Sequence, residues 1–260
     1  MLIIIPYKVY GFDMTAGATA WYAWGFRYEE VSEKSIRKNS NYAFDPTFLY
    51  GPVISLKFNN DFNLTFVYLY SKFDYKLEYY KDAGSVLFAE SKIKRSDSDL
   101  ALNYRLNDFL KIFAGVKYLA YDINLTYIDY LDQYWYSKSN HTGIGPGLGL
   151  NATVPIADNI FLLATLSGFY LFSSGEKFED KGIYDDIAAP VNMTIGYNEY
   201  GFNSNISIAY YIAQFSTVVS LGGRFQYFIT DYHDYEPFLI NKIKNMFYGI
   251  TLTATYTFSI

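Results

Sequence analysis

Phe247-Tyr-Gly-Ile-Thr-Leu-Thr-Ala-Thr-Tyr-Thr-Phe258 reads as one strand with two unlike faces. Side chains alternate along a strand, so Ile250, Leu252, Ala254, Tyr256 and Phe258 share one face, while Gly249, Thr251, Thr253, Thr255 and Thr257 share the other. One face is oily and the other is lined with hydroxyls. The pattern returns where Leu100, Leu102, Tyr104 and Leu106 alternate with Asp99, Ala101, Asn103 and Arg105, and again where Leu148, Leu150, Ala152 and Val154 alternate with Gly149, Asn151 and Thr153. A soluble sandwich would turn its oily face inward. Here the apolar rows recur from segment to segment and carry Tyr, Trp and Phe near their ends, which fits strands standing in lipid, apolar outside and polar inside.

Composition agrees with that reading. The alternating runs extend through all 260 residues with no linker rich in Pro, Gly or Ser, so one domain is expected. Aromatic residues make up 21% of the chain, 29 of them Tyr, well above ordinary soluble usage. No window approaches the roughly 18 uninterrupted apolar residues of a spanning helix. A net charge of -5 argues against nucleic acid as a partner, and the lack of cysteine excludes disulfides, thiol catalysis and thiolate metal sites. Residues 1–14, with Leu2 to Ile5 ahead of Pro6, are expected to be a signal-peptide remnant or an N-terminal extension, and 15–260 the barrel.

Connections set the architecture. Short turns near Asn60, Asn107, Asp158 and Gln214 alternate with long loops near Asn39, Asp82, Gln133, Tyr184 and Tyr235. That alternation predicts an all-β, antiparallel, up-and-down transmembrane barrel of about ten strands, with both termini on the short-turn side. The repeated Asn-Asp-Phe at Asn60–Phe62 and Asn107–Phe109 marks two equivalent corners. Pro52 predicts a bulge or weak ladder in the second strand. A bulge is also expected near Tyr121, where Phe113 has already broken the polar inner row. A charged and aromatic loop is expected as far as Glu90, and the longest connection from Ser173 to about Tyr200.

The inner rows supply the candidate lumen residues: Arg27, Glu29, Lys57, Asp97, Asp99, Asn103, Arg105, Lys111, Lys117, Asn151, Arg224 and Gln226. A charge facing lipid at mid-depth costs about 2–4 kcal/mol, which places these side chains inside. Two readings of the interior stand. One is a salt-bridged plug; the other is a narrow polar conduit for small solutes, for which Gly25, Gly51, Gly115, Gly147, Gly149 and Gly222 would leave space.

From its first strand onward the chain resembles the small bacterial outer-membrane β-barrels. Gly249-x-x-Leu252-x-Ala254, with Tyr256 and Phe258, resembles the C-terminal strand signal that the barrel-insertion machinery reads in this class, although Ser259 and Ile260 follow the Phe. The resemblance implies a monomer in the bacterial outer membrane, among lipid and lipopolysaccharide, with long loops extracellular and termini periplasmic. The class also includes the ten-stranded omptin proteases, in which an Asp-x-Asp pair faces an Asp-x-His pair. Asp97-Ser98-Asp99 and Asp231-Tyr232-His233 present those residue types. However, the first pair lies about eight residues above its turn and the second about sixteen above its own, and the second falls one long loop later than in omptins. The expectation is therefore a barrel without catalytic activity, with an omptin-like protease or a loop-borne adhesin as alternatives. His141 has no partner pattern, and no metal or cofactor is expected. Gly145-Pro146-Gly147-Leu148-Gly149 fits a strand packed closely on its neighbours. Tyr79, Tyr80, Tyr134, Trp135, Tyr136, Tyr232 and Tyr235 are expected to top the upper aromatic girdle.

Overall fold

A computed structural model describes residues 13–31, 40–80, 86–128, 134–181, 191–232 and 240–259. Ten antiparallel strands follow one another around a closed barrel: β1 (Asp13–Val31), β2 (Ser40–Lys57), β3 (Phe62–Tyr80), β4 (Val86–Arg105), β5 (Leu110–Ile128), β6 (Tyr134–Ala157), β7 (Ile160–Lys181), β8 (Val191–Ile212), β9 (Thr217–Asp231) and β10 (Ile240–Ser259). The sheet closes where β1 pairs with β10, Ala20 opposite Leu252 and Ala18 opposite Ala254. Closure leaves no edge, so every strand can satisfy its backbone within the sheet, as a lipid environment demands.

Sidedness follows the alternation. Leu102, Leu221 and Leu252 are 46%, 59% and 52% exposed on the outer surface, while Arg95 and Trp21 on the inner surface are fully enclosed. Exposed apolar side chains run from Phe48 on β2 to Phe58 just past its end, from Leu100 on β4 to Leu106 just past its end, from Ile144 to Ile156 on β6 and from Tyr248 to Tyr256 on β10. Together they form one belt around the short-turn half of the barrel.

Local chemistry explains the corners. The Asn59 side-chain oxygen accepts hydrogen bonds from the backbone N–H groups of Asp61 and Phe62, and the Asn107 oxygen does the same for Phe109 and Leu110. The equivalent corner residues are thus Asn59 and Asn107, one position away from the repeat that the sequence suggests. Asn159 takes a positive φ of 65° in the β6–β7 turn, and a short 3-10 turn at Ala213–Phe215 joins β8 to β9.

Several expectations change. The strands outrun the belt: β3 and β4 stay paired to Tyr80 opposite Val86, and β7 and β8 to Glu179 opposite Val191, so much of what reads as loop is hairpin. Above the belt the outer face turns polar while the inner face mixes apolar and polar residues, which hides the period of two. No bulge occurs at Tyr121, because β5 keeps an unbroken register with β4 and β6. The slip of phase in the sequence reflects the inner row itself becoming apolar through Leu119, Tyr121 and Ile123. At Pro52 the expected weakness is real: pairing of β2 with β3 skips Gly51 and Pro52, and none is found above Tyr50–Tyr70 among the described residues. The Thr47 hydroxyl bridges to the Lys72 carbonyl beyond that point (3.0 Å). β1 begins at Asp13, slightly ahead of the expected start, and Met1 to Phe12 lie outside the described residues.

The belt generates a test. Leu221→Arg should destabilise the folded protein in lipid bilayers by about 2–4 kcal/mol, whereas Thr253→Lys, on the inner face, should cost less than half as much. Reversible urea unfolding followed by tryptophan fluorescence would measure both.

Candidate functional site

Four inner side chains meet across the bore. β4 and β9 stand five strands apart in either direction around the ring, so a contact between them spans the lumen. Arg95 of β4 makes that contact, donating from Nη2 to the Gln226 side-chain oxygen on β9. The same Nη2 donates to Asp97 Oδ2 at 2.9 Å, and Gln226 Nε2 donates to that oxygen at 3.3 Å. Lys117 of β5 is bonded to Asp97 Oδ1 and lies 3.1 Å from Asp99 Oδ1. Arg95, Asp97, Lys117 and Gln226 are all fully buried. Such charges are tolerable inside a protein only when paired and hydrogen-bonded, and here each has partners.

Large apolar side chains fill the space around this brace. The Arg95 guanidinium lies 4.4 Å from the Phe247 ring centroid, within the range of cation–π attraction. Phe247 also stacks on Phe44 and Phe228, and Arg224 lies 4.7 Å from the Trp21 ring. Two of the inner glycines make room for rings, while Gly115 and Gly147 line the cavity below the brace. A Cβ at Gly25 would meet the Phe44 and Phe247 rings at 2.6 and 2.8 Å, and one at Gly149 would meet Phe113 at 2.6 Å.

The brace separates two chambers. Toward the short turns lies a polar cavity of about 330 Å³, lined among others by Thr19, Asn103, Asn151, Thr165, Asn203 and Thr253. Its walls are tied strand to strand, Asn151 donating to Asn103 (3.0 Å) and Thr165 to Asn151 (2.8 Å). Toward the loops lies a cup of about 50 Å³ with mostly aromatic walls, including Phe44, Phe73, Tyr121, Tyr197, Phe228, Tyr232 and Phe247. Glu199 on its wall accepts hydrogen bonds from Ser173 (2.9 Å) and Thr230 (3.1 Å), and His141 Nδ1 lies 2.8 Å from the Tyr197 hydroxyl. Burial pushes the Tyr232 hydroxyl up to about 12, so it remains protonated and able to donate.

The twelve predicted lumen residues therefore divide by height. Asp97, Asp99, Lys117, Arg224 and Gln226 form or adjoin the brace; Asn103 and Asn151 line the lower chamber. Arg27 pairs with Glu29 (3.2 Å) near the upper end. Lys57, paired with Asp13 (3.7 Å), and Arg105, near Asp61 and Asp108 (both 3.8 Å), are exposed at the lower rim, and Lys111 sits opposite Arg105. Sequence reasoning misses Arg95 and Glu199 because both lie just beyond the apolar belt, although their spacing of two from Asp97 and Gly201 places them on the inner rows. It also places His141 at a loop end and Tyr232 in a girdle. Both instead face the cup, with the Tyr232 ring 5.0 Å from that of Tyr197.

Of the residues that suggested the protease alternative, Asp97 and Asp231 are not brought together. Asp97 is bonded to Gln226, which lies five positions before Asp231 on β9, about 16 Å along the strand. Asp231 also has the parity of outward Tyr227 and Ile229, and it pairs with Lys242 at 3.5 Å. His233, like Tyr235, lies outside the described residues. Among the described residues no group of three or more metal-binding side chains converges.

No family model and no curated protein matches the chain. Among solved structures it is similar to the outer membrane protease OmpT of Escherichia coli, at 15% identity over 95% of this chain and 97% of that one, with a TM-score of 0.61. It also matches the translocator domain of the autotransporter NalP from Neisseria meningitidis, at 10% identity over 96% and 89%, with a TM-score of 0.48. The toluene transporter TodX of Pseudomonas putida matches at 10% identity over 96% and 90%, with a TM-score of 0.40. Likeness at this identity concerns the fold, which is that of a small bacterial outer-membrane β-barrel.

The brace makes a stability prediction. Asp97→Ala leaves Arg95 and Lys117 buried without their shared carboxylate and should cost about 3–5 kcal/mol, while Asp97→Asn, which keeps the shape and some hydrogen bonding, should cost less. Urea unfolding in nanodiscs would report both.

Proposed function

We propose that this protein is a non-catalytic barrel of the outer membrane, closed to solute flow, which acts through the end that carries its long hairpins. The observation that carries this reading is the Arg95–Gln226 hydrogen bond across the full width of the bore, buried among Trp21, Leu49, Leu69, Leu119, Leu171 and Phe228. A conduit would need a continuous wetted path; here fully enclosed side chains stand at the height where the two chambers would have to join. The hairpins that outrun the belt all lie at the end opposite the short turns. In the orientation usual for such barrels, that end is extracellular and the termini are periplasmic.

Planar bilayers test the closed state. The wild-type protein should give no discrete conductance steps. A variant with the brace and its aromatic cover removed, Arg95→Ala with Phe247→Ala, should give steps while remaining a folded, heat-modifiable barrel. Regular openings of the wild type would overturn the closed reading. Cleavage of a basic peptide by the wild type, lost in Asp97→Asn, would overturn the non-catalytic one.

A further inference from the structure

We infer that the cup above the brace is a binding site for a small organic anion, a carboxylate carried on an apolar or aromatic body. The inference goes beyond the closed-barrel reading and does not depend on which way the barrel faces. It begins with hydrogen-bonding capacity. Arg95 is fully enclosed, yet only its Nη2 is used by the brace; Nε and Nη1 have no partner in the protein. The Tyr121 hydroxyl, which like Arg95 lines the cup, is also buried without a partner. Buried polar groups are nearly always satisfied, so three unmet donors in one cavity call for an acceptor.

The cup's own acid does not supply it. Both Glu199 oxygens are engaged, by Ser173 and by Thr230. Asp97 is already shared between Arg95, Lys117 and Gln226 on the lower side of the guanidinium. Among the charged side chains lining the cup, Arg27 and Arg95 stand against the one acid Glu199, with Arg27 itself paired to Glu29. A carboxylate can accept from several donors at once, and hydrogen bonds to charged partners are the stronger kind. The remaining wall, made by Phe44, Phe73, Ile93, Ile123 and Ile243 with the rings of Phe228 and Phe247, offers contact to the carbon atoms next to the head group; at about 50 Å³ the cup holds the carboxylate, and the rest of the body extends out of it toward the loop end. The lower chamber is larger but differs in kind. Among the described residues its unmet buried atom is the Asn203 oxygen, an acceptor; its cations Lys117 and Arg224 share the walls with Asp99, and hydroxyls and amides alternate there with apolar side chains such as Val53, Val67 and Phe113.

Three ligands that share a ring but differ in head group provide the test: benzoate, benzyl alcohol and benzylamine, titrated calorimetrically into the whole protein in nanodiscs with empty nanodiscs subtracted. Benzoate should bind, and the neutral and cationic analogues should bind at least about tenfold more weakly, as expected when charge-assisted hydrogen bonds are lost. Tyr121→Phe removes one donor without touching the brace and should weaken benzoate about five- to tenfold, with unchanged urea unfolding and unchanged bilayer silence. Arg95→Gln should abolish binding. If benzoate does not bind the wild type, water satisfies the donors and the inference falls. It falls equally if all three ligands bind alike, or if benzoate binds both variants as it binds the wild type, since the site would then lie elsewhere. Bilayer conductance is read separately, so failure here leaves the closed-barrel reading intact and the reverse also holds.

Discussion

The Arg95–Gln226 contact sets the terms for the interior of this barrel. Eight strands enclose a bore that side chains just fill, and ten enclose a wider one. Closing it at one height requires long side chains that reach past the axis, and arginine, lysine, glutamine and tryptophan are among the longest available. A guanidinium in that position has to be neutralised, which accounts for Asp97; the carboxylate in turn draws in Lys117, whose ammonium also touches Asp99. A buried cluster of this kind adds little net stability over a hydrophobic filling, because desolvation offsets most of the attraction. What it fixes is arrangement: each group has only one set of partners that leaves no charge unpaired.

The two chambers follow from the brace. Below it, within the height of the lipid belt, the inner rows are glycine, threonine, serine and asparagine, small enough to leave a cavity and polar enough to knit neighbouring strands. Above it the inner rows turn aromatic, with Phe228 and Phe247 over the guanidinium and Phe44 and Phe73 packed against Phe247. Aromatic rings suit that place for two reasons. They bring large area at low entropy cost, and their faces attract the buried cation from the side opposite its carboxylate.

How much of this can be read in the sequence depends on which face is in question. The outer face is constrained by lipid alone, so Leu100, Leu102, Tyr104 and Leu106, or Ile250, Leu252 and Ala254, announce themselves through simple alternation. The strand number, the order of connections and the weak seam at Pro52 are legible for the same reason. The inner face answers to partners on distant strands. Leu119, Tyr121 and Ile123 are apolar on the lumen side because Phe228 and Phe247 complete their surroundings from across the bore, and no local pattern carries that information. Arg95 and Glu199 escape notice because above the belt the outer face turns polar while the inner face carries rings among its charges, and the contrast that marks direction disappears. The pairing of Arg95 with Gln226, 131 residues apart, exists only once the barrel is closed.

Overall likeness to OmpT tempts a transfer of activity, and the carboxylates themselves argue against it. An acid pair that activates water needs at least one oxygen free to accept its proton, and a geometry that lets the two pairs face one another. Asp97 gives one oxygen to Lys117 and the other to Arg95 and Gln226. Both oxygens of Asp99 lie within reach of Lys117, at 3.1 and 3.2 Å. Carboxylate oxygens already occupied by ammonium, guanidinium and amide donors are not available to take a proton from a water. The Asp-x-Asp spacing that resembles a catalytic signature also places two carboxylates on successive inner positions of one strand, where both meet the lysine of the next.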